Sequence, residues 1–279
     1  MFRSHFALLA CLAWVARVAA IPAIPAGQGM PPAEDGAAER LNASPRHGEF
    51  RTVDVRGTPV RFWVVYPEPK DKAPVVVVIH EIFGLTDWVR AVTDQLAAEG
   101  FLAVAPDLLS GKGPHGGGTD DFPARDDAMK AVSALDRDEV LARLDAVRAW
   151  ALAQPSAGTS SGTVGFCWGG ATSFAYAVHQ PKLDTAVVYY GTPPQDLSTL
   201  AAVHAPVLGL YGGDDARVTS TVDATREKMK ALGKTYKPHV FDGAGHGFLR
   251  AQSGQDGANA RAAAQAWPVT VNFLRGHAH

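Results

Sequence analysis

The chain has 279 residues, 47% of them hydrophobic, enough for one large domain with a substantial buried core. A formal net charge of −2, with no block of like charges, gives nucleic-acid binding no electrostatic support and suggests no interaction tail.

The first twenty residues read as a signal peptide. Arg3 and His5 precede an apolar run over 6–16 that is too short to span a bilayer, and Val18-Ala19-Ala20 supplies small residues for cleavage after Ala20. The chain is therefore expected to be exported, to the periplasm or the medium, with no membrane attachment after cleavage. Removal of the peptide takes away Cys11 and leaves Cys167 with no cysteine to pair with. Residues 21–47 are rich in Pro, Ala and Gly, lack a period and read as a flexible leader. The folded domain is expected over 48–279.

Within it, 50–56 and 60–66 are β-rich, with Gly57-Thr58-Pro59 as the hairpin turn. The run Pro-Val-Val-Val-Val-Ile at 74–79 predicts a strand buried on both faces. A helix over 88–99 ends at Gly100, a strand over 101–105 ends at Pro106-Asp107, and 108–122 is a glycine-rich loop. Helices are predicted over 124–132, 137–153, 171–179, 221–232 and within 257–274, and strands over 163–166, 184–190, 207–211 and 235–241. The alternation predicts an α/β fold: a mostly parallel central sheet, helices on both faces and an antiparallel N-terminal edge.

Between the strand at 163–166 and the helix at 171–179 lies Gly165-Phe166-Cys167-Trp168-Gly169-Gly170. A nucleophile flanked by glycines at a strand-to-helix junction has the pattern of a nucleophile elbow. The strained turn leaves room only for glycine beside it and sets the side chain at a helix N-terminus, where a thiolate or an oxyanion is favoured. The six residues equally describe a buried, inert cysteine. Downstream partners separate the two readings. Gly-Gly-Asp-Asp at 212–215 follows one strand, and Gly-Ala-Gly-His-Gly-Phe at 243–248 follows another. Nucleophile, acid and histidine in that order, each after its own strand, is the order of a hydrolase triad. His246 would be the base, oriented by Asp215 or its neighbour Asp214. His-Glu-Ile-Phe-Gly-Leu at 80–85 also follows a strand. It lacks the second histidine of a zinc motif, so no metal is expected, and its position suits an oxyanion loop. The N–H groups of Ile82 and Trp168 would form the hole.

These motifs, with Pro-Asp-Leu at 106–108 and Tyr-Tyr-Gly at 189–191, resemble the dienelactone hydrolase family of α/β-hydrolases over the stretch from about residue 50 to the C-terminus. The resemblance implies a Cys-His-Asp triad of Cys167, His246 and Asp215, the acid being set by the family's Gly-Gly-x-Asp-x-x-Val spacing to Val218. It implies that Glu81 takes part in activating a resting thiol that is largely neutral. It also implies two arginines that bind a substrate carboxylate, Arg250 and Arg125, although Met129 stands where the family has an aromatic. The expected activity is hydrolysis of small lactones or esters through an acyl-thioester, of the carboxymethylenebutenolidase type, by a monomer without a cofactor. The alternative is a non-catalytic scaffold that binds a small carboxylated ligand.

Overall fold

The structure, a computed structural model, describes residues 29–68 and 71–277. The signal-peptide stretch, Cys11 and the start of the leader lie outside the described residues.

From residue 29 onward the leader is folded, contrary to the sequence expectation. A 3-10 turn, Glu34–Gly36, runs into helix α1, Ala37–Asn42. Ala37 is buried, Trp88 Nε1 donates to the Pro32 carbonyl, and Arg40 donates to the Gln95 side chain. Asp94 anchors the end of the segment, accepting from Arg46 Nε (3.0 Å) and Nη2 (2.6 Å) and from Ser44 Oγ (2.6 Å). These are single long-range contacts, so no periodic apolar stripe announces them.

Strands β1 (Gly48–Val55) and β2 (Thr58–Val65) form the expected antiparallel hairpin. Its turn is Arg56-Gly57, both at positive φ, rather than 57–59. A tight hairpin turn of this kind needs two left-handed residues, and proline cannot supply one; Pro59 instead pairs with Asp54 inside the ladder. There follow β3 (Ala73–Ile79), α2 (Asp87–Ala98), β4 (Leu102–Pro106), α3 (Arg125–Ser133), α4 (Arg137–Leu152) and β5 (Ala157–Phe166). The second half is α5 (Trp168–His179), β6 (Thr185–Tyr189), β7 (Val207–Gly212), α6 (Ala216–Thr219), α7 (Val222–Ala231), β8 (Tyr236–Phe241) and α8 (Ala258–Gly276). The sheet order is β1-β2-β4-β3-β5-β6-β7-β8, antiparallel through β1, β2 and β4 and parallel from β4 to β8.

Strand alternation splits the core into two layers. Val75, Val77 and Ile79 join one cluster with Leu144 and Val147 of α4 and Phe174 of α5. Val76 and Val78 join the other with Trp88 and Val92 of α2 and Trp267 of α8. β5 begins six residues before the β-rich run read from the sequence, at Ala-Gly-Thr-Ser-Ser-Gly. Pairing with β3 and β6, not β propensity, makes that stretch extended. Among the described residues no helix is long and apolar enough to cross a membrane. The C-terminal ends of β3, β5, β7 and β8 open on one edge of the sheet, and the motifs carrying Glu81, Cys167, Asp215 and His246 each follow one of them.

Candidate active site

Cys167 stands between β5 and α5 at φ 55° and ψ −115°. That positive-φ backbone costs a non-glycine residue on the order of 1–3 kcal/mol. The surroundings enforce it. The Cys167 N–H donates to the Tyr189 carbonyl at 3.0 Å, and the Cys167 carbonyl accepts from Ala171 N–H at 3.1 Å. A side chain at Gly165 would run into the Gly169 carbonyl, and one at Gly169 into the carbonyls of Ile79 and His80. The glycines let α5 press against β3 and β5, and the thiol projects from the turn between them.

His246, on the loop after β8, places Nε2 3.1 Å from Cys167 Sγ and Nδ1 2.5 Å from Asp215 Oδ2. An ionised carboxylate only accepts, so Nδ1 carries the proton and Nε2 offers its lone pair to the thiol. Asp215 is buried at the start of α6, whereas Asp214 is exposed. The geometry therefore puts Asp215, not Asp214, on the histidine. Tyr190 meets the imidazole edge to face at 5.1 Å; it is fully buried, with φ 39°.

The loop after β3 supplies the opposite wall. Its shape depends on His80, whose role the sequence reading passed over. His80 Nε2 accepts from Leu108 N–H at 3.3 Å, which leaves Nδ1–H to donate to the Glu81 carbonyl at 2.7 Å. Burial holds this imidazole below its ordinary pKa, and it stacks on Trp168 at 5.6 Å. Thr119 clamps the far end of the loop. Its hydroxyl accepts from Leu85 N–H (2.9 Å) and donates to Asp107 Oδ1 (2.7 Å). So the Pro-Asp-Leu motif holds this loop at two points, Leu108 directly on His80 and Asp107 through Thr119.

The backbone N–H groups of Trp168 and Ile82 both point at Cys167 and draw its thiol pKa down. They are outweighed by burial and by the charge of Glu81, which leave the thiol above its ordinary value. Glu81 is itself 2% exposed. Burial pushes its pKa up to about 7 against the pull of Arg250. Arg250 Nε lies 2.5 Å from Glu81 Oε2, without the alignment of a hydrogen bond, so the contact is an ion pair.

Arg125 and Arg250, expected to hold a substrate carboxylate, are brought together. The Phe83 ring lies 3.6 Å from the Arg125 guanidinium carbon and 5.0 Å from that of Arg250. Both guanidiniums already hold a carboxylate of the chain itself. Glu34 Oε1 is 3.0 Å from Arg125 Nη2, and Glu34 Oε2 is 2.5 Å from Arg250 Nη1. Neither Glu34 nor Phe83 was singled out from sequence. Phe83 had a local signal in the 80–85 motif; Glu34 sits in a stretch that reads as leader. Two hollows flank Ile82 and Trp168. One, about 600 Å³, is lined by Ile82, Asp126, Met129 and Lys130; the other, about 270 Å³, by Trp168, Leu135, Leu141 and Thr172.

The model of the dienelactone hydrolase family matches residues 61–278. A Pseudomonas putida carboxymethylenebutenolidase is 33% identical over 208 residues, covering 74% of this chain and 86% of that protein. A Salmonella typhimurium protein assigned as a carboxymethylenebutenolidase is 33% identical over 209 residues, covering 71% and 76%. A crystal structure from Klebsiella pneumoniae, assigned as a dienelactone hydrolase, aligns with a TM-score of 0.73 at 28% identity, covering 82% of this chain and 98% of that one.

Proposed function

The chain belongs to the dienelactone hydrolase family, and we propose that it opens small lactones or esters through an acyl-thioester on Cys167. It is a carboxylic ester hydrolase, similar to the carboxymethylenebutenolidases. The observation that carries the mechanism is the relay of Asp215 Oδ2, His246 and Cys167 Sγ at 2.5 and 3.1 Å.

In the first half-reaction His246 Nε2 takes the thiol proton as Sγ attacks the acyl carbon. The tetrahedral oxyanion is received by the N–H groups of Ile82 and Trp168. The bond from acyl carbon to leaving oxygen then breaks. That oxygen takes the proton from His246, and a thioester remains on Cys167. In the second half-reaction His246 takes a proton from water, and the hydroxide attacks the thioester. The same N–H pair receives the second oxyanion, and the thiolate leaves and is reprotonated by His246 as the carboxylic acid departs. Asp215 keeps the proton on Nδ1 and stabilises the imidazolium that forms in both halves. Export through residues 1–20 belongs to the same reading and rests on the sequence.

The test is hydrolysis of a carboxylated enol-lactone and of p-nitrophenyl acetate by wild type and Cys167→Ala, with mass spectrometry of the quenched enzyme. Turnover by wild type, none by the variant, and an acyl adduct on the peptide carrying Cys167 are expected. A variant as active as wild type overturns the nucleophile. Inertness of wild type toward every ester and lactone, with ligand binding kept, favours a binding scaffold instead.

A further inference from the structure

The two arginines beside the candidate nucleophile are occupied from within. One carboxylate, that of Glu34, gives one oxygen to Arg125 and the other to Arg250. An acidic substrate would require that same two-point geometry. The local charge is already balanced: Glu34 and Glu81 face Arg125 and Arg250. The carboxylate is also held by the fold, independently of its own charge. Glu34 N–H donates to the Arg250 carbonyl at 3.0 Å, Gln252 Nε2 donates to the Pro31 carbonyl at 3.1 Å, and Trp88 Nε1 donates to the Pro32 carbonyl at 3.1 Å. Ala37, one helical turn on, is 1% exposed.

We propose that Glu34 is a specificity-determining residue. Its carboxylate fills the Arg125–Arg250 pair as an internal counter-ion and turns the site toward acyl groups that carry no carboxylate of their own. The inference deepens the esterase reading and rests on it. Its physical basis is competition between a tethered ligand and a free one. A group anchored beside its partner acts at an effective concentration on the order of millimolar or higher. A free carboxylate at micromolar concentration does not displace it. A neutral acyl group has no need to, because it asks nothing of the guanidiniums. With Glu34 neutral, Arg250 keeps Glu81 and Arg125 is left open, so an acidic substrate meets an unpaired cation.

The experiment compares two substrates of one shape, a carboxymethylene butenolide and its primary carboxamide, on wild type, Glu34→Gln and Glu34→Ala. The readout is the ratio of kcat/KM for the acid to that for the amide, which cancels general losses of activity or folded fraction. Wild type is expected to favour the amide, and both variants to raise the ratio by about tenfold or more. Adding Arg125→Ala to Glu34→Gln should remove most of the gain. A ratio unmoved by either variant overturns the proposal, as does a wild type that already favours the acid. Benzoate binding by calorimetry is read in parallel and needs no turnover. About tenfold tighter binding to Glu34→Gln than to wild type supports the counter-ion role, and equal affinity overturns it. If benzoate binding responds while neither lactone is hydrolysed by any form, the esterase reading has failed and the counter-ion has not.

Discussion

Gly165→Ala tests whether close packing at the elbow places Cys167, the proposed nucleophile. A Cβ at 165 would lie 2.5 Å from the Gly169 carbonyl carbon, closer still to its oxygen, and 2.9 Å from Ser173 Cβ; ordinary contact begins at 3.4 Å. Relieving the carbon contact alone means moving the end of β5 or the first turn of α5 by about 0.9 Å, and the closer oxygen asks for more. Neither is free to move. Gly169 is pressed against Ile79 and His80 of the neighbouring strand and loop, and Gly170 against Gly191 beyond β6. The strain is therefore shared by the turn that carries Cys167. Overpacking of a buried site costs about 1–3 kcal/mol, which in a domain of this size lowers Tm by roughly 3–10 °C. The protein stays folded at room temperature. A displacement near 1 Å at the reacting atoms costs about 100-fold in rate, so kcat/KM on p-nitrophenyl acetate should fall far more than the folded fraction does. Gly276→Ala is the control, because a Cβ there meets nothing within 4 Å. If Gly165→Ala keeps kcat/KM within about threefold of wild type, with the control unchanged, a displacement on that scale has not occurred and the packing account of the elbow is wrong.

Asp215→Asn should lower kcat by about 1,000- to 10,000-fold, because an amide no longer fixes the proton on Nδ1; Asp214→Asn, on an exposed side chain, should leave it near wild type, and the reverse ranking in steady-state kinetics would exchange their roles. Glu81→Gln removes the charge that helps hold the Cys167 thiol up, so its alkylation by iodoacetamide should accelerate at lower pH than in wild type; an unchanged profile would remove Glu81 from thiol control. The same substitution has a stability signature. Burial pushes Glu81 up to about 7 in the fold from its ordinary 4.5, so the folded state holds the extra proton between those values. Its contribution is fully present below 4.5 and is lost as pH rises through about 7. Urea unfolding should show wild type losing roughly 3 kcal/mol relative to Glu81→Gln between pH 4 and pH 8, and a pH-independent difference would contradict the burial argument. Arg46→Ala takes from the buried Asp94 its cation and leaves Ser44, among the described residues, as its hydrogen-bond donor, which should cost about 3 kcal/mol and raise hydrogen exchange across 29–47; exchange confined to 46 would show that the segment docks without this pair.

Much of this arrangement is legible in the sequence because its signals are local. Glycines flank Cys167, Asp215 and His246 within a few positions, each behind a β-rich run. The β-branched run at 74–79 identifies the central strand for the same reason. What escapes reading depends on contacts between distant residues. Glu34 meets Arg250 across 216 positions, from a stretch whose composition suggests a leader and whose helix is six residues long. His80 reads as half of a failed zinc motif, and only the packed loop shows it bridging Glu81 and Leu108. The early half of β5 is small and polar, and becomes a strand because its neighbours are strands. The arginines are an intermediate case: resemblance identifies both, yet nothing local in the sequence indicates that the chain brings its own carboxylate to them.

The resting thiol and the acyl site are linked through the same few groups. Burial and Glu81 both oppose a thiolate at Cys167, and the N–H groups of Trp168 and Ile82 oppose them in turn. On the proposed mechanism that N–H pair must also receive the acyl oxygen. A carbonyl that takes them strips the sulfur of its stabilising donors at the moment of attack. A preformed thiolate would be destabilised by the very substrate it attacks. A neutral thiol giving its proton to His246 at 3.1 Å as the bond to carbon forms has no such conflict. Glu81 extends the link outward, because the charge of its carboxylate raises the thiol and the same carboxylate is paired with Arg250. Arg250 in turn is shared with Glu34. Charge placed on or removed from the arginine pair is therefore felt at Cys167, so on the proposed mechanism acyl-group selection and thiol protection are set by one chain of contacts running from residue 34 to residue 167.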